Sequence, residues 1–288
     1  MAVQGVADPP IVADPPIVDC HAHIFQADLP LSDRAWNRPA YGFSARQYLD
    51  MLDAHGVHFG IVAGISISGF YNDYMIEELR VNPRLRGTAI LPPTTDRYTL
   101  EHMKADGVVG VRLQLARSKT LPDLTTEDYR LFFRRVADLD WHVHVAVEGD
   151  RLEQVIAPLE ASGVKIVIDH FAHPDPALAE DCPGIAVALR SVGKGRTWIK
   201  LSGDYRLHDL GTQGTPLDPD GQALADRVAP LLLAEAGPDR LLWGSDAPFV
   251  GHEERTGFAA AVAALERWVP DRDQRRQISQ TALKFYFS

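Results

Sequence analysis

Eight short apolar, β-branched runs punctuate this chain of 288 residues, and that count constrains its fold more than any other feature. They are Ile17–Ile24, Phe59–Ile65, Arg86–Leu91, Val108–Gln114, His142–Val147, Lys165–His170, Thr197–Gly203 and Arg240–Asp246. Amphipathic helical patterns lie between them. Ser44–His55 reads as one helix, with Ser44 as N-cap and Gly56 as the stop. Thr126–Leu139 reads as another, capped by Thr125 or Thr126, with Phe132, Phe133, Val136 and Leu139 on its apolar face. Helices near Glu253–Trp268 and Arg272–Phe285 would close the structure. Strands alternating with helices over this length predict a (β/α)8 barrel, the TIM-barrel architecture. A doubly wound open sheet would more often have roughly five to seven strands and a glycine-rich first turn. Here His21-Ala22-His23 stands where that turn would be. No linker divides the chain. The expectation is an extended tail over residues 1–16 and one barrel over 17–288. The tail carries Ala-Asp-Pro-Pro-Ile-Val twice in tandem, at Ala7–Val12 and Ala13–Val18, and proline pairs do not enter helices or central strands.

The formal net charge of −10 and the lack of a basic run argue against nucleic-acid binding. No apolar run approaches the ~18 residues of a membrane span, and no signal peptide opens the sequence. The two cysteines, Cys20 and Cys182, are far apart and read as reduced thiols of a cytoplasmic protein. An acidic chain that binds an anion must gather arginines locally, so arginines at strand ends carry weight.

Barrel enzymes work at the C-terminal ends of their strands. At the first such end, alternation turns His21 and His23 to one face, roughly 7 Å apart along the backbone, where two imidazoles can bind a metal, relay protons or polarise a carbonyl. Arg112 interrupts the apolar fourth run and must meet an internal carboxylate or an anionic ligand. Arg117 follows in the next loop. In the fifth run His144 reads as a core histidine. Alternation places His170 at the sixth strand's mouth and turns Asp169 to the opposite face as a structural residue. His173 follows on the loop and could touch substrate. Arg206 lies just past the seventh run, placed to clamp a carboxylate. Asp246 ends the eighth, where a carboxylate near imidazoles suits metal ligation or activation of water.

His-x-His on strand one, His on strand six and Asp on strand eight together resemble the amidohydrolase superfamily. The phrases VDCHAHIF, GVRLQL, IDHFAHPD, KLSGDYRL and WGSDAPF resemble its lactonase branch, which acts on pyrone dicarboxylates, sugar lactones and muconolactones. The resemblance implies that His21, His23 and His170 surround a lactone carbonyl oxygen. Asp246 would take a proton from the attacking water and deliver it to the leaving oxygen. Arg112 and Arg206 would hold substrate carboxylates, and Tyr41 would contact substrate. Arg117 matches a second arginine of the pyrone enzymes only with a shift of one residue. His173 stands where those enzymes carry an arginine, and Ala146 where they carry a tyrosine. A smaller or less charged lactone acid is the expected substrate.

Strand four lacks the lysine of binuclear relatives. His21, His23 and Asp246 have the ligand types for one zinc ion, yet the lactonases resembled work without metal. Metal-independent hydrolysis is therefore the expectation, with one Zn2+ as the alternative. A zinc-dependent carboxy-lyase is the competing function, and a non-catalytic barrel that binds small acids is a third. A homo-oligomer is compatible with the sequence.

Overall fold

A computed structural model describes residues 14–207 and 220–288. The first copy of the tandem hexapeptide lies outside the described residues. Eight strands form one parallel sheet in sequential order: β1 (Val18–Ala22), β2 (Phe59–Ala63), β3 (Leu85–Ala89), β4 (Val108–Gln114), β5 (His142–Ala146), β6 (Lys165–Ile168), β7 (Thr197–Leu201) and β8 (Leu241–Trp243). Every neighbouring pair is parallel. The helices between them include α1 (Ala45–Ala54), α2 (Asp73–Val81), α3 (Arg97–Ala105), α4 (Glu127–Asp138), α5 (Leu152–Ser162), α6 (Pro183–Gly193) and α7 (Asp220–Ala236). Two more, α8 (Phe258–Trp268) and α9 (Arg272–Phe287), end the chain. This is the (β/α)8 barrel that the alternation predicts. Among the described residues no helix is long and apolar enough to cross a membrane.

Local chemistry sets the element ends. Ser44 and Gln47 form a reciprocal capping box at α1, satisfying two backbone donors that the first turn leaves open. Thr126 holds the N-cap position of α4 without a side-chain bond. Thr125 instead spends its hydroxyl on Asp123 Oδ1 at 2.6 Å. Strands six and eight are shorter than their apolar runs suggest, ending at Ile168 and Trp243. Beyond those points the backbone leaves extended geometry, with φ of 45° at His170 and 62° at Asp246.

The barrel closes between its first and last strands by a short seam. Asp246 N–H donates to the His21 carbonyl and His23 N–H to that of Ala247, both at 2.7 Å. Asp19 reinforces the seam with its side chain. It accepts from Ser245 N–H (2.8 Å), Ser245 Oγ (2.6 Å), Tyr48 Oη on α1 (2.9 Å) and His21 N–H (3.1 Å). Strict alternation would put Asp19 on the same face as His21 and His23. A register irregularity between Asp19 and Ala22 releases it outward to α1, the usual use of a bulge beside a site. Gly244 permits the close approach, since a Cβ there would lie 2.6 Å from that of His21. At the opposite end, Val18, Cys20, Ile61, Val167 and Leu242 pack against Ala282 and Tyr286 of α9, which plugs the barrel floor.

Candidate active site

The mouth of the barrel holds a cleft of about 600 Å3, counted to its open rim. His23, Arg112, His170, His173, Arg206 and Asp246 line it, with Arg117 and Trp36 at its wall. His21 lies directly beneath, fully buried, with its ring 5.1 Å from that of His23 and 4.8 Å from that of His170. Eight of the nine residues singled out in the sequence therefore converge here. Tyr41 does not line the cleft. Its hydroxyl donates to Glu253 at 2.6 Å, and its ring packs on Phe25.

Asp246 is almost completely buried, and its two oxygens have different surroundings. Oδ2 accepts from Tyr205 Oη at 2.7 Å and sits 3.1 Å from Arg206 Nη1. Oδ1 has no hydrogen-bond partner among the described residues and lies 3.5 Å from both His21 Nε2 and His23 Nε2. Burial pushes the Asp246 carboxyl up, but its charged and polar neighbours, Arg206 foremost, outweigh it and hold the group ionised, well below the usual carboxylate range.

The histidine protons can be placed from their partners. His23 Nδ1 lies 2.7 Å from the Ala63 carbonyl oxygen, which can only accept, so Nδ1 carries the proton. Burial pushes His23 below its ordinary pKa and keeps the ring neutral, leaving Nε2 as a lone pair. His21 Nδ1 lies 3.2 Å from Asp169 Oδ1 without a hydrogen bond, the carboxylate favours a proton on that nitrogen, and burial again favours the neutral ring. His170 differs. Its Nδ1 is 2.9 Å from Ser202 Oγ, a hydroxyl that can donate, so a neutral His170 can present Nε2–H to the cleft. Burial pushes His170 down to about 3. Gly203 makes room for this ring: it has a φ of 63°, and a Cβ there would fall 2.7 Å from His170 Nδ1. His173 is buried, and neither of its ring nitrogens has a partner among the described residues.

Asp169 corrects a sequence expectation. Alternation would turn it away from His170, but β6 has already ended. His170, Phe171, Ala172 and His173 all have positive φ, between 45° and 65°. Left-handed backbone costs non-glycine residues on the order of 1 kcal/mol each, and such strain gathers at functional sites. The turn brings Asp169 and His170 into one cluster. Asp169 contacts His144 Nε2, His21 Nδ1 (3.2 Å), Arg112 Nη2 (3.3 Å) and Lys200 Nζ (3.6 Å), with side-chain exposure of 0–4% throughout. His144, read as a core histidine, is a member of this polar floor, held also by Lys200 Nζ at 2.8 Å. Arg112 meets the internal carboxylate its burial demands, and it donates to the Gly64 carbonyl at 2.8 Å as well. Sequence reasoning passed over Lys200, Ser202, Tyr205 and Trp36. Lys200 and Ser202 share the parity of Arg206 along the seventh run, which was their only signal, and Tyr205 stands next to Arg206 in the sequence.

Two sets of buried groups have ligand atoms close enough to share a metal ion: His21, His23 and Asp246; and His21, Asp169 and His170. Only the first fits well. Its three atoms are His21 Nε2, His23 Nε2 and Asp246 Oδ1, all lone-pair donors, separated by 3.5 Å from nitrogen to oxygen. Two ligands each about 2.0–2.1 Å from a tetrahedral zinc would lie about 3.4 Å apart. In the second set, Asp169 is already surrounded by two cations and two imidazoles.

The amidohydrolase family profile matches residues 18–287. A 4-sulfomuconolactone hydrolase from Rhizobium radiobacter is 26% identical over 237 residues, covering 81% of this chain and 76% of that protein. A 2-pyrone-4,6-dicarboxylate hydrolase from Comamonas testosteroni is 28% identical over 238 residues, covering 80% and 76%. The fold superposes on an Acinetobacter baumannii structure assigned as a 2-pyrone-4,6-dicarboxylic acid hydrolase and solved with citric acid bound. There the TM-score is 0.86 at 29% identity, over 94% of this chain and 98% of that one.

Proposed function

The chain belongs to the amidohydrolase family, and from that premise we propose that it hydrolyses lactones bearing a carboxylate. One observation carries the reading: Asp246 turns an uncommitted carboxylate oxygen toward a cleft that three arginines also line. The relatives support it, since their names describe hydrolases of anionic lactones.

In this mechanism Asp246 Oδ1 takes a proton from water as the water oxygen bonds to the lactone carbonyl carbon. His170 Nε2–H donates to the developing oxyanion, and Ser202 holds the ring in that tautomer. The bond from carbonyl carbon to ring oxygen then breaks, and Asp246 returns the proton to the leaving alkoxide. Water is consumed, the ring opens to a hydroxy acid, and the acid ionises. Arg112, Arg117 and Arg206 hold the substrate carboxylate, and His173 lies close enough to contact the ring. Tyr205 and Arg206 fix Asp246 through Oδ2, which leaves Oδ1 for the water.

His21, His23 and Asp246 would hold a divalent cation, and when bound it would supply Lewis acidity at the carbonyl oxygen and lower the pKa of water. The tautomers favour such an ion, because three lone pairs converge with no proton between them.

A panel of carboxylated lactones followed with a pH indicator tests the reaction. Ring opening releases acid, whereas the competing carboxy-lyase would release carbon dioxide with no net acid after hydration. Silence across the panel would sink the proposal. Elemental analysis of the purified protein, with activity measured before and after chelation, decides between the two chemistries.

A further inference from the structure

We infer that Trp36 is a specificity-determining residue: it fixes two guanidinium groups at the cleft wall and thereby sets the site's demand for a negatively charged substrate. For its substrate this rests on the lactonase reading above, but its first test does not need turnover.

Trp36 lies in the loop after β1, and that loop is tied at its base. Phe25 N–H donates to the Phe43 carbonyl at 2.8 Å and Phe43 N–H donates back at 2.7 Å. The indole N–H donates to Ser66 Oγ, beyond β2, at 3.1 Å. The guanidinium carbon of Arg117, beyond β4, lies 4.2 Å from the indole centroid, and that of Arg206, beyond β7, lies 5.7 Å from it. Gly251, beyond β8, approaches so closely that a Cβ would lie 3.6 Å from the ring. One side chain thus touches loops from four other strands.

The chemistry of the contact matters more than its extent. A free arginine samples many rotamers, and an anion that binds it must order it first. Stacking on an indole orders the guanidinium without consuming an N–H donor. Arg117 is anchored at its backbone too, where its N–H donates to Glu148 Oε1 at 2.6 Å. Both guanidinium groups line the same cleft as Asp246. Arg117 is therefore held in place for oxygens of a carboxylate on the rim side of the substrate ring, while Arg206 is held between Trp36 and Asp246 Oδ2, 3.1 Å from its Nη1, with its other N–H groups on the cleft side.

Titration calorimetry with glutarate, a dicarboxylate that cannot be hydrolysed, tests this on the intact chain. Wild type should bind glutarate, and Trp36→Leu should bind it at least about tenfold more weakly, the range expected for losing two cation–π contacts. Trp36→Phe keeps a ring face but loses the bond to Ser66, and should fall between them. Equal affinity in wild type and Trp36→Leu overturns the inference, as does a wild type that ignores glutarate. If Trp36→Leu does not fold, as judged by circular dichroism, Trp36→Phe decides, and an unchanged Kd overturns the idea. With an active lactone in hand, the larger share of the loss should fall on KM rather than kcat. A lactone panel without any turnover would sink the lactonase reading and leave the glutarate result standing.

Discussion

Asp169 and Asp246 are both buried carboxylates among histidines, both held ionised against their burial, yet they face opposite ways. Asp169 spends its oxygens on His21, His144, Arg112 and Lys200 beneath the cleft. Asp246 keeps Oδ1 uncommitted and turns it to the cleft. The same functional group is a structural hub where two cations and two imidazoles crowd its oxygens. It is a candidate base where one oxygen is left over.

That contrast can be broken by substitution. Asp169→Asn leaves Lys200 and Arg112 as buried cations without their anion, so it should cost about 3–5 kcal/mol of stability in denaturant unfolding. A variant as stable as wild type would remove Asp169 from its hub. Asp246→Asn should lower kcat at least ~100-fold while shifting the unfolding midpoint less than Asp169→Asn does. Near-normal turnover would strip Asp246 of its role as base.

Zinc titration sharpens the comparison. Asp246→Asn removes a ligand and should abolish tight uptake. Asp169→Asn removes only the group that orients His21 and should weaken uptake roughly 10- to 100-fold. Equal losses would mean that the two carboxylates are not distinct toward metal.

Lys200 gives a pH test of the hub. Burial lowers it from 10.5 to about 8. Between those values the unfolded chain binds more protons than the folded one. Stability from this group is thus present above the unfolded pKa and lost as pH falls through about 8. Wild type should therefore gain on the order of 2 kcal/mol relative to Lys200→Met between pH ~8 and ~10.5. A flat difference would show that Lys200 is not desolvated. The smallest effect is expected from Tyr205→Phe, which removes one donor to Asp246 Oδ2. It should reduce kcat by a factor of about 5 to 10, in line with one hydrogen bond, and no change would show that Arg206 alone positions the carboxylate.

The barrel was legible because its signal is repetitive: eight apolar runs cannot all be misread in the same direction. The residues that keep their parity were legible too, which is why His21 and His23 stand where alternation placed them, and Arg112 meets the carboxylate that a cation inside an apolar run requires. Asp169 was not, because parity holds only while a strand lasts and the left-handed turn at His170 begins two residues after β6 ends. His144 and Lys200 were unreadable for another reason. A polar residue inside an apolar run becomes meaningful only when its partners are known, and theirs come from other strands and from Asp169, just past β6. Tyr41, whose role came only from the motif, has its hydroxyl bonded to Glu253 in the loop after β8.

The seam clasped by Asp19 has a consequence for how activity arises along the chain. Asp19 and Ser245 are 226 residues apart, and the same junction brings Asp246 against His21 and His23. A chain that has folded every strand but the last has the imidazoles without Asp246, the candidate base. On the proposed mechanism, hydrolysis would report completion: partly closed barrels, nascent chains and C-terminal truncations would be silent, and the first turnover would mark the moment the two ends meet.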